Sequence, residues 1–193
     1  MDTQFLISIA AGICLSAACG LKIFVPPLAM GLASKTGLLT LPTQTEWLGT
    51  WPAITVLTFA LLFEFIAFCI PVFGNFLDLI ATPLAIVTGT LLMKSQIVEL
   101  SPVVSWTLAI AGGGTASGIV QFVTAMIRAG TSAFTAGTSN IFFAIFELFT
   151  AVFIAILTLI APLLCLAIVL ILVLGLIRTL LNRGKKAQGF HGF

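Results

Sequence analysis

Charge is what this sequence has least of. Only 7% of its 193 residues are Asp, Glu, Lys or Arg, against roughly 25% in a soluble domain, so the chain cannot cover a water-facing surface. Tyrosine is absent, and the one histidine, His191, lies close to the C-terminus. A single histidine excludes a His-based metal cluster, and its place in a short tail argues against a Ser–His–Asp triad. The four cysteines, Cys14, Cys19, Cys69 and Cys165, all fall inside apolar runs. They have no metal-ligand spacing and no polar loop in which to pair, so they are expected to pack as small hydrophobes. Nucleotide motifs are missing too: GGGTASG at 112–118 lacks the lysine and the strand–turn–helix context of a phosphate loop. No cofactor and no metal are therefore expected, and the chain does not read as an enzyme. Acid/base catalysis inside a membrane is the one enzymatic reading left open.

What is present is apolar. Hydrophobic residues make up 60% of the chain and the mean hydropathy is +1.26, so its main partner is expected to be the lipid bilayer. At roughly 20 residues per crossing, the length accommodates about six spans. The fold class read from this is all-α: a polytopic transmembrane helical bundle forming one domain over 1–182, followed by a short basic tail at 183–193. The first apolar run, Phe5 to about Ala33, is too long for one straight span. Lys22, Pro26 and Pro27 interrupt it, and proline removes an amide donor, so a kinked or broken helix is expected. A polar segment with Trp47 and Trp51 follows, suited to the membrane interface. Trp51–Ile70 reads as the second span, PVFGN at 71–75 as a tight hairpin, and Phe76–Met93 as the third span with Pro83 inside it. The fourth, Val103–Ile127, contains Gly112, Gly113 and Gly114 and is also expected to bend or break. RAGTSAFTAGTSN at 128–140 reads as a loop, and Ile141–Ile160 and Leu163–Leu181 supply the last two spans. Five spans is the alternative count. The N-terminal MDTQ carries an acid and no base, unlike a secretory signal, so residues 4–21 are read as a retained span.

Arg178, Arg183, Lys185 and Lys186 crowd the C-terminus. A nucleic-acid partner is not expected from four charges beside a span; retention of Lys and Arg on the cytoplasmic side places that tail inside the cell. With six spans the N-terminus is also inside, Lys35 and Lys94 face out and Arg128 faces in. The halves echo each other: Phe63–Glu64 precedes LIATPLAIV in the first, Phe146–Glu147 precedes LIAPLLCLAIV in the second. Three spans per half would make them inverted repeats, 4–93 and 103–182, an arrangement common in transporters.

The informative residues are the charges within spans, which cost about 2.5–3.5 kcal/mol each and so pair or line a wet path. They are Lys22, Glu64, Asp78, Arg128 and Glu147. Ser117, Gln121, Thr124 and Arg128 recur at intervals of four, three and four, forming one polar stripe on a helix. Asn140 and Glu147 share a face of the next helix, where Glu147 comes within reach of Arg128. Either these groups border a path between helices or they lock helices together. Asp78 carries less weight, since beside PVFGN it reads as an interfacial anion near a helix N-terminus. The leading functional expectation is a small transporter or channel for an ion or small solute. Glu64 and Glu147 would be its cation or proton sites, balanced by Arg128 and Lys22, with Asp78, Gln121 and Asn140 along the path. The alternative is a membrane scaffold or accessory subunit whose charges are structural. Either could form a homo-oligomer.

Three segments carry a family resemblance: ACGLKIFVPPLAMGLASKTGLL, LLFEFIAFCIPVFGNFLDLIATPLAIVTGTLL and IRAGTSAFTAGTSNIFFAIFELFTAV. Together they resemble the DUF4126 family of small bacterial integral membrane proteins over nearly the whole chain. The resemblance implies a multi-pass protein of the bacterial inner (plasma) membrane, with Glu64, Asp78, Arg128 and Glu147 at the family's typical polar positions. It departs from the pattern at Ala67 and Phe68, where a charged residue often follows the first glutamate. It implies no particular activity.

Overall fold

The computed structural model describes residues 3–98, 100–135 and 139–188. Among these residues the regular structure is entirely helical: α1 (Thr3–Cys19), α2 (Val25–Lys35), α3 (Trp51–Cys69), α4 (Pro71–Gln96), α5 (Pro102–Leu108), α6 (Thr115–Thr135), α7 (Ser139–Ile160) and α8 (Pro162–Gln188). Four helical stretches are long and apolar enough to cross a membrane: Trp51–Cys69, Phe76–Gln96, Pro102–Ser132 and Ser139–Ile160. Thr3–Cys19 and Pro162–Gly175 are shorter apolar helices. The faces these rods turn outward are lined by Phe, Leu, Ile and Val, among them Phe59, Phe63, Phe142, Phe149 and Ile171. Such an apolar exterior suits lipid as solvent.

The first apolar run does break, and it also reverses. The amides of Gly20, Leu21 and Lys22 fall back on carbonyls of the last turn of α1, Lys22 N to Ala18 O at 3.0 Å. Pro26 and Pro27 then open α2, where a missing amide proton costs nothing because first-turn amides have no helical partner. Gly12 packs on Met93, and the Ser16 hydroxyl lies 2.7 Å from the Gly89 carbonyl, so α1 runs antiparallel to α4. Met30, on α2, joins Leu15, Cys19 and Leu92 in one buried cluster. That contact is attainable only if α2 turns back beside α1. The two helices form a hairpin whose tip, residues 20–24, sits inside the bundle. Its outer end meets the start of α3, where the Lys35 ammonium lies 5.4 Å from the Trp51 ring centroid.

Elsewhere the chain is more helical than its polar and small residues suggest. PVFGN does not form a turn: α3 ends at Cys69, Ile70 alone is extended (φ −96°, ψ 115°), and Pro71 starts α4. A residue before proline is driven out of the helical region, which confines the break to one position. The glycine triplet does not break the fourth run either; Ala109–Gly114 is a π-helical segment continuous with α5 and α6. The polar stretch after Arg128 is helix through Thr135, α7 starts at Ser139, and residues 136–138 lie outside the described set. Ala161 alone separates α7 from α8. α8 continues to Gln188, through much of the expected tail, and His191 lies outside the described residues.

Small residues set the closest approaches. A Cβ on Gly20 would lie 2.5 Å from the Ser117 carbonyl, and one on Gly113 would lie 2.4 Å from Met93 Cβ. The first contact fixes the hairpin against α6, and the second fixes the π-helical segment against α4. Gly20→Val should therefore destabilise the bundle by roughly 1–3 kcal/mol through overpacking. Gly130→Ala, which meets nothing within 4 Å, should not. Thermal unfolding in detergent checks the difference.

Candidate functional site: a charge network at the hairpin tip

Each charged residue of the site is delivered by a different element. Lys22 lies on the hairpin tip, Glu64 in the C-terminal third of α3, Asp78 on α4, Arg128 on α6 and Glu147 on α7. Gln121 precedes Arg128 by two turns on the same helix face. The packing of Leu21, Val120, Ala151 and their neighbours on one side, and of Ile23, Phe68, Ala81 and Ala144 on the other, holds these elements together. Lys22, Arg128 and Glu147 are at most 1% exposed and Glu64 is 5% exposed.

Arg128 is the hub. One guanidinium nitrogen donates to Asp78 Oδ1 at 2.7 Å and the other to Glu147 Oε1. Lys22 Nζ reaches Glu147 Oε2 at 3.2 Å, so both oxygens of Glu147 are engaged by cations. Gln121 Nε2 donates to Asp78 Oδ1 at 3.2 Å. Phe68 lies between the cations: Lys22 Nζ and Arg128 Cζ are each 4.1 Å from its ring centroid. An aromatic face attracts cations, most strongly when they are desolvated.

Glu64 stands apart from the ion pairs. Its Oε1 accepts the backbone amide of Ile23 at 3.0 Å, tying α3 to the hairpin tip at the N-terminal end of α2. Its Oε2 is buried with no hydrogen-bond partner among the described residues, as are Arg128 Nε and Asn140 Nδ2. Asn140 accepts from the Ser132 hydroxyl through Oδ1 and, among the described residues, bonds none of the charged groups. With all five groups ionised, three carboxylates face two cations.

Two cavities flank the tip. One of about 370 Å³ lies between the hairpin, the 44–48 segment, α3, α4 and Trp106; Gln44, Trp47 and Lys94 line it toward the outer end and Phe24 and Thr88 line it within. The other, about 270 Å³, lies between α6, α7 and α8, with Glu147, Thr124 and Thr150 on its wall. Its remaining lining, including Phe143 and Leu172, is apolar.

The structure joins Lys22, Asp78, Gln121, Arg128 and Glu147 in one network, with Glu64 beside it and Asn140 at its edge. Asp78 is not the peripheral helix-end anion suggested by its proximity to PVFGN, because that segment is helix and its side chain turns inward to Arg128. The polar stripe on α6 divides: Gln121 and Arg128 enter the network, whereas Ser117 and Thr124 bond carbonyls of their own helix. Phe68 and the Ile23 amide are the members that residue type alone does not reveal. The spacing of four between Glu64 and Phe68 does put them on one helical face. The cysteines pack as small groups, Cys165 Sγ lying 3.3 Å from Thr158 Oγ1 and Cys14 Sγ 3.9 Å from the Pro162 carbonyl. Among the described residues no group of three His, Cys, Asp or Glu could hold a metal ion.

Removing one partner from a buried ion pair costs about 3–5 kcal/mol. Glu147→Gln, which strips the counter-charge from both cations, should cause the largest loss of thermal stability in the cluster. Gln121→Ala, which deletes one hydrogen bond, should cost nearer 1 kcal/mol. Melting temperatures of the two variants in one detergent check the order.

Comparison with protein-family models matches residues 9–182 to a family described as "Domain of unknown function (DUF4126)". No curated protein and no solved structure matches the chain. The family match covers all eight helices in whole or in part and every residue of the charge network. The chain belongs to the DUF4126 family.

Proposed function

We propose that the chain is a small membrane transporter or channel for an ion or small solute, with the network at the hairpin tip as its working site. One observation carries this reading: five charges from five elements, four of them buried and Asp78 largely so, converge where the first helical run breaks. Charges are costly in a membrane interior and are retained there chiefly where they are used. Broken helices near the bilayer midplane are a recurrent way of presenting backbone ends to ions. The cavity between α6, α7 and α8, with Glu147 on its wall, supports access to the network from that side.

The helix directions support a topology of five crossings plus a re-entrant hairpin, in place of the sixth crossing read from residues 5–33. Lys35 and Lys94 then fall at one end, and Arg178, with the basic residues after it, at the other. The bias of Lys and Arg toward the cytoplasm supports a cytoplasmic C-terminus and hence an external N-terminus. α3 and α7, each bearing a Phe–Glu pair, run in opposite directions, which supports an inverted relation between the halves. Their opening elements differ, since α1–α2 reverses while α5–α6 continues as one helical run.

A second reading, a scaffold whose charges only lock helices, is favoured by the closure of both Glu147 oxygens on cations. Flux into liposomes separates the two. Protons, alkali cations and common anions would be screened with wild type, Glu64→Gln and Glu147→Gln, folding being checked by size-exclusion chromatography. The transport reading expects flux that falls at least tenfold in folded Glu64→Gln; intact flux there removes Glu64 from the path, and absence of any flux favours the scaffold. For topology, reporter tags at the two termini should appear on opposite faces of the membrane.

A further inference from the structure

We propose that Glu64 is a proton-binding site, and that the proton is the ion this network takes up and releases. The proposal deepens the transport reading and rests on its choice of the network as the working site. Three carboxylates against two cations leave one negative charge uncompensated in a region screened from water. One added positive charge neutralises the whole set. The pairing pattern says where it goes. Glu147 is engaged by Lys22 and Arg128, and Asp78 by Arg128 and Gln121. Among the described residues Glu64 is the one of the three carboxylates with no ion pair, and its buried Oε2 has no hydrogen-bond partner.

The surroundings favour a proton over a metal cation. The groups facing Glu64 are Lys22 on the tip, Cys19 at the end of α1 and Glu147 on α7. Arg128 on α6 lies one partner further away, across Glu147 and Phe68, and Asp78 on α4 lies beyond it on Arg128. An alkali ion at Oε2 would sit near an ammonium and near the positive end of the α2 dipole. Hard cations also require several oxygen ligands, whereas the backbone group presented to Glu64 is an amide N–H. A proton requires one oxygen. The step is acid–base only: hydronium gives its proton to Oε2, an O–H bond forms and water leaves.

Protonation has a mechanical consequence. Hydrogen bonds to ionised acceptors are roughly twice as strong as neutral ones, so the Ile23 amide holds the carboxylate more firmly than the acid. Gain of a proton loosens the tether between α3 and the hairpin tip, and loss restores it. The adjoining residue, Phe24, lines the larger cavity, so tip movement would alter that cavity.

The test is infrared difference spectroscopy across pH on the full chain in lipid nanodiscs, with glutamate carboxyls labelled with carbon-13. The expected result is one labelled protonated-carboxyl band that titrates in wild type and in Glu46→Gln and is lost in Glu64→Gln. Glu64→Asp, which keeps an acid at the site, should replace it with an unlabelled band and covers the case in which the glutamine variant does not fold. Survival of the labelled band in either Glu64 variant, or absence of any titrating glutamate in wild type, would overturn the proposal. Liposome flux on the same preparations keeps the two readings separate. Loss of the band in the variants without flux of any ion in wild type upholds the proton site and sinks transport, while flux with no titrating glutamate does the reverse.

Discussion

Arg128 is the residue on which the arrangement of this bundle depends. A guanidinium at 1% exposure is tolerable only because two carboxylates and an aromatic face meet it. Those partners come from α4, α7 and α3, so neutralising one side chain specifies how four helices sit together. Apolar contacts in lipid offer little such direction, since helix exteriors and acyl chains are equally greasy. Close packing of small residues and a few polar contacts must supply the specificity instead. Gly20, Gly113 and Ser16 provide the first kind of constraint and the Arg128 hub the second.

The hairpin tip depends on the same chemistry. Breaking a helix inside a bundle leaves backbone groups without partners, and in a membrane water is not available to satisfy them. The tip meets this by tightening the last turn of α1, by opening α2 with prolines, and by giving the Ile23 amide to Glu64. Lys22, carried at the turn, is neutralised by Glu147 and covered by Phe68. The break and the charge cluster are thus one feature: the tip brings a cation and an amide donor to the two glutamates of α3 and α7.

This division of labour gives the two glutamates different characters although they sit in matching Phe–Glu pairs. Glu147 is clamped from both sides and acts as an anchor for cations on two other elements. Glu64 is held by the Ile23 amide, and its Oε2 has no hydrogen-bond partner among the described residues. A cluster with one fully compensated carboxylate and one under-compensated carboxylate can change its protonation at one position without losing the pairs that hold the helices. That combination of a rigid hub and a changeable neighbour is the basis of the proposed proton site.

The amino-acid sequence alone determined that the chain is helical and apolar, which residues are too costly to leave unpaired, and where the first run is interrupted. These follow from composition and from local rules about charge, proline and helix periodicity, none of which needs a neighbour. Only tertiary structure decided that the interruption is a reversal, because Lys22, Pro26 and Pro27 are equally compatible with a kink, and packing of Met30 against Leu15 and Leu92 settles the direction. It also decided that Asp78 faces Arg128, that PVFGN and the glycine triplet stay helical, and that Phe68 lies between two cations. Small and polar residues weaken a helix by about 1 kcal/mol or less each, an amount that tertiary packing and buried pairing readily exceed. Partner choice among charges is a property of the assembled bundle, since a carboxylate on one helix carries no local record of which cation will reach it.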